Sequence, residues 1–160
     1  LAFGTGTHET TRLMLEILEM LDLTDGIVLD LGSGSAILAI AATKLGHSRV
    51  IACDIDSDAV RVARENLLRN SSDASIFLGS VDSIRSRSVK LVLANLTAEV
   101  ISTVLPEIVR IVQAHGIMVF SGILDVQTDH LARRIIELGL TVDFERAAGE
   151  WVAMVVRQNS

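Results

Sequence analysis

The chain has 160 residues, 49% of them hydrophobic, which suits one compact domain with its own apolar core. Its net charge of -6 argues against a general nucleic-acid surface, because phosphate binding relies on clustered Lys and Arg. The single cysteine, Cys53, excludes an internal disulfide and a cysteine-rich metal site. No apolar run reaches the roughly 18 residues of a membrane-spanning helix, and no signal-peptide pattern is present. We therefore expect a cytoplasmic protein without direct contacts to nucleic acid or membrane, and no metal site.

Short runs rich in Val and Ile alternate with longer helical patterns along the chain. Helices are expected at residues 9–22, 35–45, 57–70, 97–112 and 126–138. Strands are expected at 27–31, 49–54, 75–78, 89–94, 116–121, 140–146 and 150–157. This alternation predicts an α/β fold with a mostly parallel sheet. The short connection "RAAGEW" predicts that the last two strands form a hairpin, with one antiparallel strand at an edge of the sheet.

The first helix follows the segment "LAFGTGTHETT", which is too polar and too rich in glycine to be core. One interpretation is a loop that contacts a ligand, where the helix-start N–H groups would favour an anion. The other is a capping segment, in which Thr7 or Thr10 closes the helix N-terminus. His8 is a candidate base in this segment, although a lone histidine is more often a hydrogen-bonding loop residue.

The segment "VLDLGSGSAILAIAATKLG" is an apolar strand, a glycine turn and an apolar helix. Gly32 and Gly34 let the backbone turn sharply and approach a ligand closely. A dinucleotide fingerprint requires a third glycine where this chain has Ile37. The shorter pattern instead favours a small adenosyl ligand that carries an amino acid, whose ammonium group an acidic strand end such as Asp30 can meet. The alternative is an ordinary tight turn between strand and helix.

Polar residues end the next two central strands. Asp54 follows the glycine turn by about 20 residues, a spacing at which a carboxylate accepts both hydroxyl protons of a ribose. The same stretch also supplies an N-cap, from Asp56 or Ser57. Asn95 ends the fourth strand, where it either holds an acceptor amine or caps the helix that starts near Thr97. Because ligands gather at the carboxyl ends of strands, these side chains are expected to face one crevice together with the glycine turn.

Five segments in order carry a family resemblance: "LAFGTGTHETT", "LDLGSGSAILAIAATKLG", "VIACDIDSDAV", "ANL" and "SGIL". Together they resemble the S-adenosylmethionine-dependent methyltransferases, specifically the ribosomal protein L11 methyltransferase (PrmA-like) family, over nearly the whole chain. The resemblance implies a Rossmann-like sheet of seven strands whose final strand is antiparallel. It also implies S-adenosylmethionine as the cofactor, held by the residues that match Thr11, Gly32, Asp54 and Asn95.

The resemblance further implies that the chain methylates an amino group of a protein, with a large-subunit ribosomal protein as the expected partner. The family carries a separate N-terminal substrate-recognition domain, so residues 1–160 are expected to be the cofactor-binding methyltransferase domain alone. Several positions depart from the family pattern: Glu9 replaces proline, Ser33 replaces cysteine and Ala36 replaces glycine. The run Leu96-Thr97-Ala98 also differs from the family's isoleucine-leucine-alanine, which predicts an altered acceptor pocket.

Alternatives remain open at this stage. A small-molecule methyltransferase and a domain that binds S-adenosylmethionine without catalysis share every motif named above. A nicotinamide-dependent oxidoreductase would share the strand, the glycine turn and the ribose acid, but this chain lacks the third glycine of the dinucleotide fingerprint.

Overall fold

The structure, a computed structural model, describes residues 7–22, 25–47 and 49–159. Its helices are α1 (Thr7–Met20), α2 (Ile37–Lys44), α3 (Ser57–Arg69), α4 (Ala98–Ile111) and α5 (Thr128–Glu137). Its strands are β1 (Ile27–Leu31), β2 (Val50–Asp54), β3 (Ser75–Leu78), β4 (Val89–Asn95), β5 (Val112–Leu124), β6 (Leu140–Ala148) and β7 (Trp151–Gln158). Every predicted helix and strand is therefore present.

Two boundaries differ from the prediction in ways that matter for the fold. Helix α1 begins at Thr7, so the second half of the polar opening segment is helical rather than loop. Strand β5 begins at Val112, directly after α4, and not at residue 116. The backbone of β5 is irregular near its start, because His115 has a positive φ of 61°. This irregularity interrupts the apolar pattern on which the later boundary was predicted.

The seven strands form one sheet in the order β3-β2-β1-β4-β5-β7-β6. Strands β1 to β5 pair in parallel, and β7 pairs antiparallel with both β5 and β6. The predicted hairpin and the antiparallel final strand are confirmed. The prediction of an antiparallel strand at an edge is also confirmed, because β6 pairs antiparallel with β7 and lies at the edge, while β7 lies between β5 and β6.

The burial of the last two strands explains their order. Strand β7 is apolar and almost entirely buried, so it needs a paired neighbour on each side. Strand β6 is mostly exposed and carries Asp143, Glu145 and Arg146. Charged side chains of this kind protect an edge strand from pairing with other chains.

Helices cover both faces of the sheet. On one face, α1 and α2 pack onto the central strands, and α1 buries Leu13, Met14 and Ile17. On the other face, α4 buries Ile101, Leu105 and Ile108, which recur at the spacing of one helix face. No helix in the described part of the chain is long and apolar enough to cross a membrane.

The order of the strands fixes where a ligand can bind. Strand β1 lies at the centre, with β2 on one side and β4 on the other, so the connections diverge at the carboxyl ends of β1 and β4. Open α/β sheets bind ligands at such a divergence point. The glycine turn follows β1, and Asn95 is the last residue of β4. The candidate site is therefore built at this end of the sheet.

Candidate functional site

The turn after β1 uses three residues in the left-handed backbone region. Gly32 has a φ of 69°, Gly34 of 52° and Ala36 of 67°. A Cβ atom on Gly32 would lie 2.6 Å from Cδ2 of Leu96, so a side chain there would displace the Leu96 side chain, and the positive φ also favours glycine. The turn is held to β2 by the Ser33 N–H, which donates to the Cys53 carbonyl at 2.9 Å.

Asp54 stabilises this turn from the end of β2. Its Oδ2 accepts a hydrogen bond from the Gly34 N–H at 2.9 Å, and its Oδ1 accepts one from the Asp56 N–H at 3.0 Å. Asp56 is the N-cap of α3, since its side chain accepts from the Asp58 N–H. Each carboxylate oxygen has a second lone pair, so Asp54 keeps acceptor capacity for hydroxyl groups of a ligand. The Asp54 carboxylate thus shapes the turn and faces the space beside it.

Asp30 is buried at the end of β1, with 2% of its surface exposed. Its Oδ2 accepts a hydrogen bond from the Ala39 N–H of α2 at 3.0 Å. Burial raises the pKa of the Asp30 carboxyl to about 7, against a lowering effect of that hydrogen bond, and the charge of Asp54 raises it further. A cation placed beside this carboxyl would lower its pKa and favour its charged form.

The side chain of Asn95, at the end of β4, forms hydrogen bonds with α1. Its Nδ2 donates to Oγ1 of Thr10 at 3.3 Å and to Oγ1 of Thr11 at 3.4 Å. The N-cap of α4 is Thr97, whose side chain accepts from the Val100 N–H at 3.3 Å. The alternative in which Asn95 caps that helix is therefore wrong, and the Asn95 side chain is directed to the crevice instead.

Gly122, in the segment "SGIL" near the end of β5, was assigned no role from the sequence. It has a φ of 83°, and a Cβ atom there would lie 2.5 Å from the Leu96 carbonyl oxygen and 3.1 Å from Oδ1 of Asn95. Two carbonyl oxygens therefore converge beside the backbone of Gly122. The sequence offered only the glycine itself as a signal, since the requirement arises from the neighbouring β4 connection.

Two cavities meet at this end of the sheet. The larger, of about 190 Å³, is lined by Leu31, Gly32, Asp54, Ile55, Gly79, Ser80, Asn95, Leu96, Val100 and Val104. The smaller, of about 80 Å³, is lined by Thr11, Asp30, Gly32, Ser33, Gly34, Ser35, Ile37, Leu38 and Asn95. Gly32 and Asn95 line both cavities, so they form the boundary between a mostly apolar space and one of mixed polarity.

All six residues singled out from the sequence line one or both of these cavities. Thr11, Asp30 and Gly34 line the smaller one, Asp54 lines the larger one, and Gly32 and Asn95 line both. Two further lining residues carried no signal in the sequence: Ile55, which is 80% exposed beside Asp54, and Val100 in the first turn of α4. Of the His8 side chain, the candidate base, the structure describes nothing.

A separate open groove of about 570 Å³ lies between α4 and α5. It is lined by Ala98, Glu99, Ser102, Thr103, Val126, Gln127, His130, Leu131 and Arg134. One of its lining residues, Ala98, directly follows Thr97 in the chain, but none of the glycine-turn residues lines the groove. Among the described residues, no group of three or more His, Cys, Asp or Glu side chains is arranged to hold a metal ion.

Comparison with known proteins assigns this arrangement to a family. The family described as "Ribosomal protein L11 methyltransferase (PrmA)" matches residues 1–159. A ribosomal protein L11 methyltransferase of Geobacter metallireducens is 43% identical over 155 residues, which are 97% of this chain and 51% of that protein. One of Thermotoga maritima is 37% identical over 158 residues, which are 99% of this chain and 60% of that protein. The chain thus spans little more than half the length of these relatives.

Solved structures agree with this assignment. A ribosomal protein L11 methylase of Lactobacillus delbrueckii subsp. bulgaricus superposes with a TM-score of 0.91 at 29% identity, covering 97% of this chain and 81% of that one. An RNA methyltransferase of Salinibacter ruber, solved with S-adenosyl-L-homocysteine, has a TM-score of 0.73 at 19% identity, covering 98% and 94%, and shares the fold. The chain belongs to the ribosomal protein L11 methyltransferase (PrmA) family.

Proposed function

We propose that the chain binds S-adenosylmethionine across the two cavities and transfers its methyl group to an amino group of a protein. The observation that carries this proposal is the junction at Gly32 and Asn95, where a mostly apolar cavity meets one of mixed polarity that is lined in part by polar side chains. S-adenosylmethionine has two halves of corresponding character, because its sulfur atom joins an adenosine to an amino acid. Family membership supports the same ligand class.

The larger cavity suits the adenosine half. Ile55 and Val100 offer apolar surface to a flat base, and both are well exposed, at 80% and 43%. Asp54 lies at the same cavity with acceptor capacity for the two ribose hydroxyls. Because Gly32 has no side chain, the gap between the turn and Leu96 stays open, and a ligand in it can approach the backbone of the turn.

The smaller cavity suits the amino-acid half. In the proposed pose Thr11 donates its hydroxyl to the ligand carboxylate, and Asp30 faces the ammonium group. The hydroxyl of Ser33 is buried without a hydrogen-bond partner among the described residues, and Ser33 lines this cavity, which supports the presence of a polar ligand. A cation beside Asp30 would lower the raised pKa of that carboxyl and favour its charged form.

When bound, S-adenosylmethionine supplies a methyl group activated by the positive charge on sulfur. The protein therefore has to align the lone pair of the acceptor nitrogen and exclude water. In the proposed arrangement Oδ1 of Asn95 and the carbonyl oxygen of Leu96 accept hydrogen bonds from the amine. These two oxygens converge beside Gly122, where no side chain blocks them.

The relatives' names supply the acceptor class. Those of Geobacter metallireducens and Thermotoga maritima are named for methylation of a ribosomal protein, and we infer an acceptor of the same class for this chain. Such an acceptor would place the reaction in the cytoplasm. An amine acceptor agrees with the pair of oxygen atoms beside Gly122, because N–H groups donate to both.

Calorimetric titration of two glycine variants tests the cofactor proposal. Gly34 and Gly46 both have positive φ, and a Cβ atom on either would meet nothing within 4 Å. The backbone strain should be smaller in Gly34→Ala, at a φ of 52°, than in Gly46→Ala, at a φ of 98°, but only the Gly34→Ala methyl group would enter the smaller cavity. We expect Gly34→Ala to weaken S-adenosylhomocysteine binding by about tenfold or more, since occupied volume excludes the ligand, and Gly46→Ala to leave it unchanged.

The unmodified chain should bind S-adenosylmethionine and S-adenosylhomocysteine, and it should not bind NAD. Selective NAD binding, or equal losses in the two glycine variants, would overturn the assignment of the cavities. Methyl transfer is tested with isotope-labelled S-adenosylmethionine and unmethylated ribosomal proteins, and the products are read by mass spectrometry. Label on a lysine or N-terminal amine supports the proposal, whereas cofactor binding without label on any ribosomal protein contradicts the acceptor.

A further inference from the structure

The Asn95 side chain has a defined orientation in the site. Its nitrogen, Nδ2, donates to the hydroxyl oxygens of Thr10 and Thr11, at 3.3 and 3.4 Å. Its oxygen, Oδ1, lies near Gly122, where it is 3.1 Å from the place that a Cβ atom would take. The donor end of the amide therefore faces α1, and the acceptor end faces the region where the proposed acceptor amine would lie.

The two threonines differ in their relation to the cavities. Thr11 lines the smaller cavity, so its hydroxyl is within reach of a ligand as well as of Asn95. Thr10 lines neither of the two cavities and is 3% exposed. Thr10 therefore contacts Asn95 from inside the protein, on the side away from both cavities.

We propose that Thr10 is a positioning residue that orients the Asn95 amide for catalysis, an inference that rests on the proposed function. The last side-chain torsion of asparagine has two broad minima about half a turn apart. Without the Thr10 hydroxyl, Nδ2 of Asn95 keeps, among the described residues, only the Thr11 hydroxyl, which the ligand carboxylate also engages in the proposed pose. A half-turn of the amide would then place N–H groups, instead of an oxygen, against the N–H groups of the acceptor amine.

This role predicts a loss of turnover that is separate from ligand affinity. Thr10→Val keeps the branched shape of the side chain and removes the hydroxyl, whereas Thr10→Ser keeps the hydroxyl and removes a methyl group. We expect Thr10→Val to lower kcat about tenfold, the usual scale for loss of one orienting hydrogen bond, with S-adenosylhomocysteine affinity unchanged. Thr10→Ser should restore most of kcat.

Three outcomes would overturn the inference. A parallel loss of kcat and of S-adenosylhomocysteine affinity in Thr10→Val would assign Thr10 to ligand binding. Equal losses in Thr10→Val and Thr10→Ser would indicate a packing role. A further loss of kcat when Thr10→Val is added to Asn95→Ala would show that Thr10 does not act through Asn95.

A ligand-free measurement separates this inference from the proposed function. The side-chain NH₂ signals of Asn95 can be identified by nuclear magnetic resonance from their loss in Asn95→Ala. In Thr10→Val these signals should shift and exchange faster with water. Thr103→Val is the matched control, because the Thr103 hydroxyl donates to the Glu99 carbonyl on α4 and not to Asn95. Unchanged Asn95 signals in Thr10→Val would overturn the inference even if methyl transfer is observed; changed signals without methyl transfer would overturn only the proposed function.

Discussion

The carboxyl group of Asp30 is buried in the protein interior, and its effect on the free energy of unfolding varies with pH. Burial is the main reason that its pKa rises to about 7, from an ordinary value of 3.8. Between these two values the folded state binds more protons at this position than the unfolded state does. The stability contributed by the protonated form is therefore fully present below about pH 3.8 and is lost as the pH rises through 7.

Asp30→Asn should accordingly change the pH dependence of folding. The asparagine oxygen can still accept the hydrogen bond from the Ala39 N–H, but the side chain carries no charge at any pH. In ligand-free protein, the free energy of unfolding of the variant relative to the original chain should be higher at about pH 8 than at about pH 5. Urea unfolding at both values measures this, and an equal difference at the two would contradict the prediction.

The sequence singled out the polar residues of the site and missed its apolar ones. Asp54 and Asn95 could be found because a polar residue at the end of an apolar strand is conspicuous. Ile55 follows Asp54 directly and has the composition of a core residue, so only its 80% exposure in the fold distinguishes it. Thr10 was considered only as a cap, since its distance from Asn95 is a product of tertiary structure.

At the scale of elements, the connections after β4 and β5 lie against each other. The Leu96 N–H donates to the Ser121 carbonyl at 3.0 Å, and the Leu96 carbonyl is directed at Gly122. The two connections can approach this closely only because Gly122 lacks a side chain. A change at Gly122 should therefore act on the site through the β4 connection.

Gly122→Ala should abolish most of the methyl transfer. Its Cβ atom would lie 2.5 Å from the Leu96 carbonyl oxygen, which forces the β4 connection and Asn95 to move. Gly139→Ala is the matched control, because Gly139 has a φ of 80°, close to the 83° of Gly122, and open space around it. Both variants should lose about 1–2 kcal/mol of stability from backbone strain, with some further loss in Gly122→Ala.

Turnover distinguishes the two variants. Gly122→Ala should be at least about tenfold slower than Gly139→Ala, since displaced hydrogen-bond acceptors no longer align the amine. Both rates are measured at saturating cofactor, at a temperature where circular dichroism shows that each variant is folded. Comparable rates would mean that the contact between the two connections has no part in the reaction.

The helices and strands were predictable from periodicity, and the errors in their predicted boundaries have local causes. The amphipathic pattern of α4 fixed its position because its buried residues recur at helical spacing. The start of β5 was predicted too late, since His115 and Gly116 interrupt the apolar run with a local irregularity. The start of α1 was predicted too late because the polar residues that begin it resemble a loop.

At the scale of the whole molecule, strand order was the feature that the sequence left open. Periodicity identifies strands but does not say which neighbours they pair with. The hairpin pattern predicted an antiparallel strand at an edge but did not say which of the last two strands it is, although β7 is the more apolar of the two and β6 the more polar. Comparing the two strands for charge would have favoured β6 at the edge.

The position of β7 predicts unequal sensitivity of the last two strands. Val155 of β7 is 1% exposed, whereas Val142 of β6 is only partly buried. Val155→Ala should lower the free energy of unfolding by about 2 kcal/mol, from lost burial and the cavity left behind. Val142→Ala should cost less than about half of that, because its site is partly solvated. Urea unfolding compares the two, and equal costs would contradict the assigned roles of the strands.

The placement of β7 also sets an order of events during synthesis. A chain that grows from its amino end contains β5 and β6 before the strand that joins them exists. Until Trp151–Gln158 has left the ribosome, the apolar edge of β5 has no partner and β6 has no place in the sheet. An unpaired apolar edge is a site for aggregation or chaperone binding. The nascent protein therefore remains vulnerable until β7 is made, however early the crevice at the ends of β1 and β4 is assembled.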